Sequence, residues 1–191
     1  GHGGVDGGAY YSGIWENAIN MDVAEAFLDE LANRGITSFL VRTKNYHIPL
    51  SSRGLYADHL QAAGMVSIHH NAPMIAPSSD PGAETFVQSN SVKSARLGTL
   101  VYEAVYEALD KFSWVQWTSQ YDAGVIRVLN NRGTDTYGMM SRPKTPTTLI
   151  ELAYLANPSE ARLLKSAEYL PAVANALADG VEEFLQSPSI G

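Results

Sequence analysis

Histidines and glutamates in this 191-residue sequence stand where they could bind a metal ion and hydrolyse a bond. His2 lies in a glycine-rich start, the pair His69-His70 ends a short apolar run, and Glu151 ends another. Two histidines and one carboxylate form a known ligand set for hydrolytic zinc, with the fourth position open for water. A separate carboxylate must then take a proton from water and pass it to the leaving group. Glu151 suits that role, because it interrupts an apolar strand with a charge.

Each of these residues also has a purely structural interpretation. The loop containing His2 could form only a turn, and backbone groups could satisfy His69 and His70. Glu16 could be a helix-entry carboxylate facing the positive end of the helix dipole, and Glu151 could pair with an arginine. The residues alone leave the choice between His69 and His70 open. Their combination favours a metallohydrolase but does not indicate its substrate.

Helices and strands alternate along the sequence. Apolar residues at helical spacing predict helices, and short apolar runs predict buried strands. The predicted helices cover residues 19–33, 51–63, 92–109, a segment capped by Asn157, and 171–185; the predicted strands cover 36–41, 65–69, 84–88, 125–129 and 147–151. This order predicts a single α/β domain with a mainly parallel twisted sheet flanked by helices. In such sheets ligands bind beyond the carboxyl ends of strands, where His69 and Glu151 would lie.

The sequence begins on a loop-like stretch, GHGGVDGGA, with no strand ahead of it. Because a domain rarely begins on such a loop, we expect a further strand before His2 that this sequence lacks. We therefore predict that residues 1–191 form one catalytic domain with its N-terminal strand missing.

Composition argues against several classes of function. A net charge of −7 disfavours a sequence-independent nucleic-acid binder, which needs a basic surface. The sequence contains no cysteine, so disulfides, cysteine-ligated zinc and cysteine nucleophiles are excluded. It has no run of about 20 apolar residues, no basic amphipathic helix and no Gly-x-Ser-x-Gly motif. We therefore expect neither membrane insertion nor a serine mechanism.

Four motifs in a fixed order carry a family resemblance. They are Gly1-His2-Gly3-Gly4, Glu16-Asn17, Ser67-Ile68-His69-His70-Asn71-Ala72, and Leu149-Ile150-Glu151 followed by Tyr154 and Asn157. In type and spacing they resemble the zinc-dependent N-acetylmuramoyl-L-alanine amidases that cut bacterial cell walls. The similarity extends from residue 1 to about residue 164. One departure is Ala153-Tyr154, where the family usually has Gly-Phe.

The resemblance implies one zinc ion on His2, Glu16 and His69, with Glu151 as the catalytic acid/base. It selects His69 rather than His70, because the ligand follows Ser-Ile. It also implies the bond that is cut, the amide between the lactyl group of N-acetylmuramic acid and the L-alanine of the stem peptide. The partner is then peptidoglycan, the protein acts outside the cytoplasm (periplasm, cell wall or secreted), and we expect a monomer.

Two further residues are candidates for substrate binding. Asn71 could orient a ligand or merely end its strand, and Arg53 could bind a substrate carboxylate or form a salt bridge. Two other functions remain open at this point. One is an inactive wall-binding or regulatory protein of the same fold, and the other is a zinc peptidase that cuts within stem peptides.

Overall fold

Five helices and eight short strands make up the part of the chain that the computed structural model describes, residues 1–73, 76–120 and 123–186. In chain order they are β1 (Tyr10–Tyr11), β2 (Ile14–Trp15), α1 (Glu16–Asn33), α2 (Leu50–His59), β3 (Met65–Asn71), β4 (Ala76–Ser78), β5 (Glu84–Val87), α3 (Val92–Asp110), β6 (Trp117–Ser119), β7 (Gly124–Ile126), β8 (Thr147–Tyr154), α4 (Pro158–Leu164) and α5 (Tyr169–Gln186). None of the helices described is both long and apolar enough to cross a membrane.

The central sheet has four strands in the order β3-β8-β5-β7. Strand β8 runs parallel to β3 and antiparallel to β5, and β5 runs parallel to β7. Helices α1 and α3 pack against this sheet, and α5 packs against both of these helices. The prediction of an α/β fold with a mainly parallel sheet flanked by helices is therefore confirmed, with the β5–β8 pair as the antiparallel exception.

Alternating side chains give the central sheet two different faces. Ile68 on β3 and Ile150 on β8 belong to the main core, which α1, α3 and α5 cover. Leu149, the neighbour of Ile150, belongs to a second and smaller cluster on the other face. Because residues two apart on a strand share a face, His69 and Glu151 project on the side of the smaller cluster, away from the main core.

The helices begin close to where capping residues and apolar spacing place them. The side chain of Asn157 accepts hydrogen bonds from the backbone N–H groups of Ser159 and Glu160, so the predicted cap of α4 is confirmed. Helices α1, α3 and α5 lie within three residues of their predicted bounds. Helix α2 was predicted less well, because it ends at His59 rather than near Ala63.

Residues 36–41, predicted as a buried strand, form no strand, so that prediction was wrong. These residues and Met65–Ile68 of β3 line the same apolar cavity of about 440 Å³, and the two segments do not pair. An apolar, β-branched run predicts burial, but none of these residues is buried and Phe39 is 65% exposed, because the segment has no partner backbone to pair with. Two other predictions need smaller corrections. The strand predicted at 125–129 is shortened to β7, and β4 forms where no strand was predicted.

Replacing Gly180 by alanine will lower the free energy of unfolding by about 1–2 kcal/mol. A methyl group there would lie 2.7 Å from Cα of Val101 and 2.8 Å from the carbonyl oxygen of Leu100, so α3 and α5 would have to separate. The free-energy cost of this overpacking, about 1–3 kcal/mol, outweighs the stabilisation that the higher helix propensity of alanine would give. Urea unfolding measures the change. Gly138→Ala is the control, because its nearest contact would be an ordinary 3.6 Å. Equal stability of the Gly180 variant and the unaltered protein would contradict this packing.

Candidate metal centre

The loop at residues 1–9 holds the imidazole of His2 in one orientation. Its Nδ1 hydrogen-bonds to Oδ1 of Asp6 at 2.8 Å, and its Nε2 lies 3.1 Å from Oε1 of Glu16. Gly8 allows this arrangement, because a Cβ there would lie 2.5 Å from Oε2 of Glu16 and 2.7 Å from Cδ2 of His2. The hydrogen bond to Asp6 therefore leaves Nε2 facing the carboxylate of Glu16.

Glu16 is fixed in the first turn of α1. Its Oε2 accepts a hydrogen bond from the backbone N–H of Ala9 at 3.0 Å, and its Oε1 lies 2.9 Å from Nδ1 of His69. Burial favours the neutral carboxyl, but hydrogen bonds from His2, His69 and Ala9 outweigh burial and hold the pKa of Glu16 well below its usual range. Glu16 is therefore an ionised carboxylate at neutral pH.

His69 completes a cluster of three possible ligands. One ring nitrogen of His69, one ring nitrogen of His2 and one carboxylate oxygen of Glu16 can each serve as a ligand atom, and these three atoms lie within 4.8 Å of one another. Burial lowers the pKa of His69 to about 4, against the opposing attraction of Glu16, so its ring is neutral at neutral pH.

The chemistry of this donor set fits a zinc ion. Zinc binds neutral imidazole nitrogens and ionised carboxylates, and three protein ligands leave one position open. Ligating histidines usually donate their second ring N–H to a carboxylate, as His2 can to Asp6. Both histidines approach the carboxylate of Glu16, which lies between them in this donor set.

Glu151 lies beside this cluster on the central strand β8. It is aligned with His69 on the parallel neighbour β3 and with Glu84 on the antiparallel neighbour β5. Its Oε2 is buried and has no hydrogen-bond partner among the described residues. Burial, followed by the charges of Glu16 and Glu84, raises the pKa of Glu151 to about 8. A buried carboxyl group without a hydrogen bond to Oε2 is costly, which indicates a functional rather than a stabilising role.

Asn71 and Arg53 lie near the cluster, but their contacts are with the protein itself. The amide of Asn71 donates to Oε2 of Glu84 at 3.3 Å. Arg53 is buried on α2, and its guanidinium donates to the carbonyl oxygens of Ile48 and His2 at 3.0 and 3.1 Å. Arg53 therefore supports the loop that carries His2. Substrate binding by either residue stays a prediction.

Sequence reasoning missed the contribution of Glu84. This residue is buried and accepts a hydrogen bond from the hydroxyl of Tyr154 at 2.9 Å. The available signal was a charged residue at one end of an apolar run. Glu84 begins the run 84–88, just as Glu151 ends the run 147–151. Its position opposite Glu151 depends on the antiparallel β5–β8 pairing, which the helix–strand alternation does not reveal.

The fold and this site together define an α/β enzyme of the hydrolase class with a possible metal site. A family profile described as N-acetylmuramoyl-L-alanine amidase matches residues 1–183. The chain therefore belongs to the N-acetylmuramoyl-L-alanine amidase family, and it is an amidase that acts on peptidoglycan.

Individual relatives include one uncharacterised protein and two named amidases. The chain is 30% identical to the uncharacterised protein YqiI of Bacillus subtilis, over 96% of this chain and 81% of that protein. It is 28% identical to the amidase AmiA of Escherichia coli, over 95% of this chain and 72% of AmiA. It is also 28% identical to the amidase LytC of Bacillus subtilis, of which it spans only 34%.

Solved structures show the same fold. An N-acetylmuramoyl-L-alanine amidase from Clostridium difficile 630 matches with a TM-score of 0.80 and 24% identity, over 100% of this chain and 95% of that one. The catalytic domain of CwlV from Bacillus (Paenibacillus) polymyxa matches with a TM-score of 0.79 and 24% identity, over 98% and 96% of the two chains. At these identities the likeness concerns the fold, which is mixed α/β in the described residues.

Proposed function

We propose that this protein hydrolyses the amide bond between N-acetylmuramic acid and the L-alanine of the peptidoglycan stem peptide. In this proposal one zinc ion is held by His2, Glu16 and His69, and Glu151 is the catalytic acid/base. The observation that carries it is the convergence of three donor atoms beside the buried Oε2 of Glu151, which has no hydrogen-bond partner among the described residues. Family membership adds the class of substrate.

The zinc ion, when bound, supplies Lewis acidity that polarises a carbonyl group and lowers the pKa of water. Glu151 accepts a proton on its free Oε2 and returns it to the leaving nitrogen of L-alanine. Its pKa of about 8, raised first by burial and then by Glu16 and Glu84, lies near neutral pH, as a group that takes and returns a proton requires. Arg53 holds the backbone of His2, and Asp6 holds its ring, so the ligand geometry is set before substrate arrives.

Because peptidoglycan lies outside the cytoplasm, the protein in this proposal acts there, in the periplasm, in the cell wall or after secretion.

The proposal also covers assembly: residues 1–191 act as one catalytic domain, and the domain acts as a monomer. Among structural neighbours, the CwlD amidase of Clostridioides difficile was solved in complex with the GerS lipoprotein. Sedimentation of the purified chain distinguishes a monomer from a dimer.

Analysis of digestion products tests the proposed bond. Purified sacculi are incubated with the protein, and the soluble products are examined by mass spectrometry. Cleavage of the proposed bond yields stem peptides with a free L-alanine amino terminus and glycan chains that keep an intact lactyl group. Products cut within the stem peptide would show a peptidase instead. Sacculi that are bound but unchanged would show a wall-binding protein of the same fold.

A further inference from the structure

Three buried polar side chains lie behind Glu16, on the face of the sheet that the helices cover. They are Asn20 on α1, His70 on β3 and Tyr169 at the start of α5, and each is at most 1% exposed. The amide nitrogen of Asn20 lies 3.3 Å from Oε1 of Glu16. The amide oxygen of Asn20 lies 2.7 Å from Nδ1 of His70, and Nε2 of His70 lies 2.7 Å from the hydroxyl of Tyr169. These contacts form one continuous chain that ends on a proposed ligand atom.

The chemistry of the four groups fixes the direction of every hydrogen bond in this chain. An ionised carboxylate only accepts, so the amide of Asn20 must present its N–H to Glu16 and its oxygen to His70. Nδ1 of His70 must then carry a hydrogen and donate it to that oxygen. In a neutral ring Nε2 is left as an acceptor, and the Tyr169 hydroxyl donates to it. Every donor therefore points toward Glu16.

The stability of the folded core alone does not require these three hydrogen-bonded polar side chains. Burying an amide, an imidazole and a phenol removes each from water, and leucine or phenylalanine could fill similar space without that cost. The hydrogen bonds also meet Glu16 at Oε1, the oxygen that lies 3.1 Å from His2 and 2.9 Å from His69. The chain therefore contacts the carboxylate on the atom that faces both histidines.

We propose that His70 and Tyr169 are positioning residues of the metal centre, which act through Asn20 to hold the carboxylate of Glu16 in the geometry that binds the ion. This role rests on the proposed zinc site. Because the Glu16 side chain is already held in one rotamer before the ion binds, binding costs less conformational entropy. Groups that orient a metal ligand typically change metal affinity by about 10-fold to 100-fold when they are replaced.

Zinc affinity, measured by competition with a chromophoric chelator on the folded protein, tests this role. His70→Leu removes both hydrogen bonds of the ring, and we expect its zinc Kd to rise about 10-fold to 100-fold. Tyr169→Phe removes only the last hydroxyl, and we expect a rise of about 2-fold to 10-fold. His70→Asn places an amide N–H near the former Nδ1, so it can still donate to Asn20. It should recover part of the affinity that the leucine variant loses.

Ser94→Ala is the matched control. Ser94 is also fully buried, and its hydroxyl donates to the carbonyl oxygen of Thr147, but it lies on α3 and outside the chain behind Glu16. It should lose stability and keep its zinc affinity. Equal affinity in all four variants and the unaltered protein would overturn the positioning role while leaving the zinc site in place. A Ser94→Ala loss as large as that of His70→Leu would also overturn it, because the effect would then be one of stability. Failure of the unaltered protein to bind zinc would contradict the metal centre itself.

Nitrogen-15 NMR of the imidazole rings gives a second readout that needs no metal. The metal-free protein should show His70 as the neutral tautomer with its hydrogen on Nδ1. In Tyr169→Phe the Nε2 resonance should shift, because it loses its donor, while the tautomer stays the same. A hydrogen on Nε2 in the unaltered protein would contradict the proposed direction of the chain.

Discussion

Glu151→Gln will reduce the release of peptidoglycan fragments at least about 100-fold, and up to about 10,000-fold, without unfolding the protein. Glutamine keeps the shape of the side chain but cannot take a proton from water and return it to the leaving nitrogen. No described residue hydrogen-bonds to Oε2 of Glu151, so no structural contact at that atom is lost. Turbidity of a sacculus suspension, followed over time at equal protein concentrations, measures the change.

The same substitution should stabilise the metal-free protein. Burial raises the pKa of Glu151 in the folded state to about 8, from an ordinary value near 4.5. The folded state therefore holds a proton that the unfolded state has released, and the contribution of this group to stability declines as pH rises from 4.5 toward 8. Urea unfolding should show this decline in the unaltered protein and a smaller one in Glu151→Gln. A variant that is more stable but inactive identifies a group kept for chemistry.

Glu160→Gln is the matched control for Glu151→Gln. Glu160 is also buried, but its carboxylate accepts hydrogen bonds from the backbone N–H groups of Thr118 and Tyr154 and from the amide of Asn157. Its replacement should lower stability by about 1–3 kcal/mol and leave hydrolysis by the folded protein largely unchanged. If Glu151→Gln hydrolysed sacculi as fast as Glu160→Gln, the acid/base role of Glu151 would be wrong.

Strand alternation carried more information about the site than the sequence interpretation used. The residues alone left the choice between His69 and His70 open. Ile68 is apolar and faces the helices, so a period of two places His70 on the same buried face and His69 on the other. The structure bears this out, since His70 contacts Asn20 and Tyr169 while His69 lies beside Glu16. The local pattern could therefore have separated the two histidines.

Other features of the site depend on contacts that no local pattern encodes. Tyr169 lies 99 positions after His70, and Glu84 lies 67 positions before Glu151, so neither pair shares an element. Their proximity follows from which strands pair, in which direction and in which register. Alternating helices and strands predicted parallel pairing, and the antiparallel β5–β8 pair is the one that brings Glu84 opposite Glu151. Short-range spacing can find the ligand candidates but not the groups that support them.

Adding zinc to the metal-free protein will raise its free energy of unfolding by about 4 kcal/mol at a free zinc concentration 1,000 times the Kd. For a domain of this size that corresponds to a rise in melting temperature of roughly 10 °C. The physical reason is that the folded state brings the three donor atoms within 4.8 Å of one another. Binding should weaken as pH falls through the pKa of His2. Burial opposes protonation of His2, but its hydrogen bonds to Glu16 and Asp6 raise that pKa above the usual value. Differential scanning fluorimetry across a zinc titration measures the rise.

Glu16→Ala should abolish this stabilisation by zinc, and His59→Ala should leave it unchanged. Glu16 is the residue that both proposed histidine ligands approach, whereas His59 lies exposed at the end of α2. An equal rise in melting temperature for all three proteins would show that zinc binds elsewhere. Anomalous scattering at the zinc edge, in crystals of the zinc-bound protein, then locates the ion independently. A single peak within about 2.0–2.2 Å of ligand atoms of His2, Glu16 and His69 is the expected result.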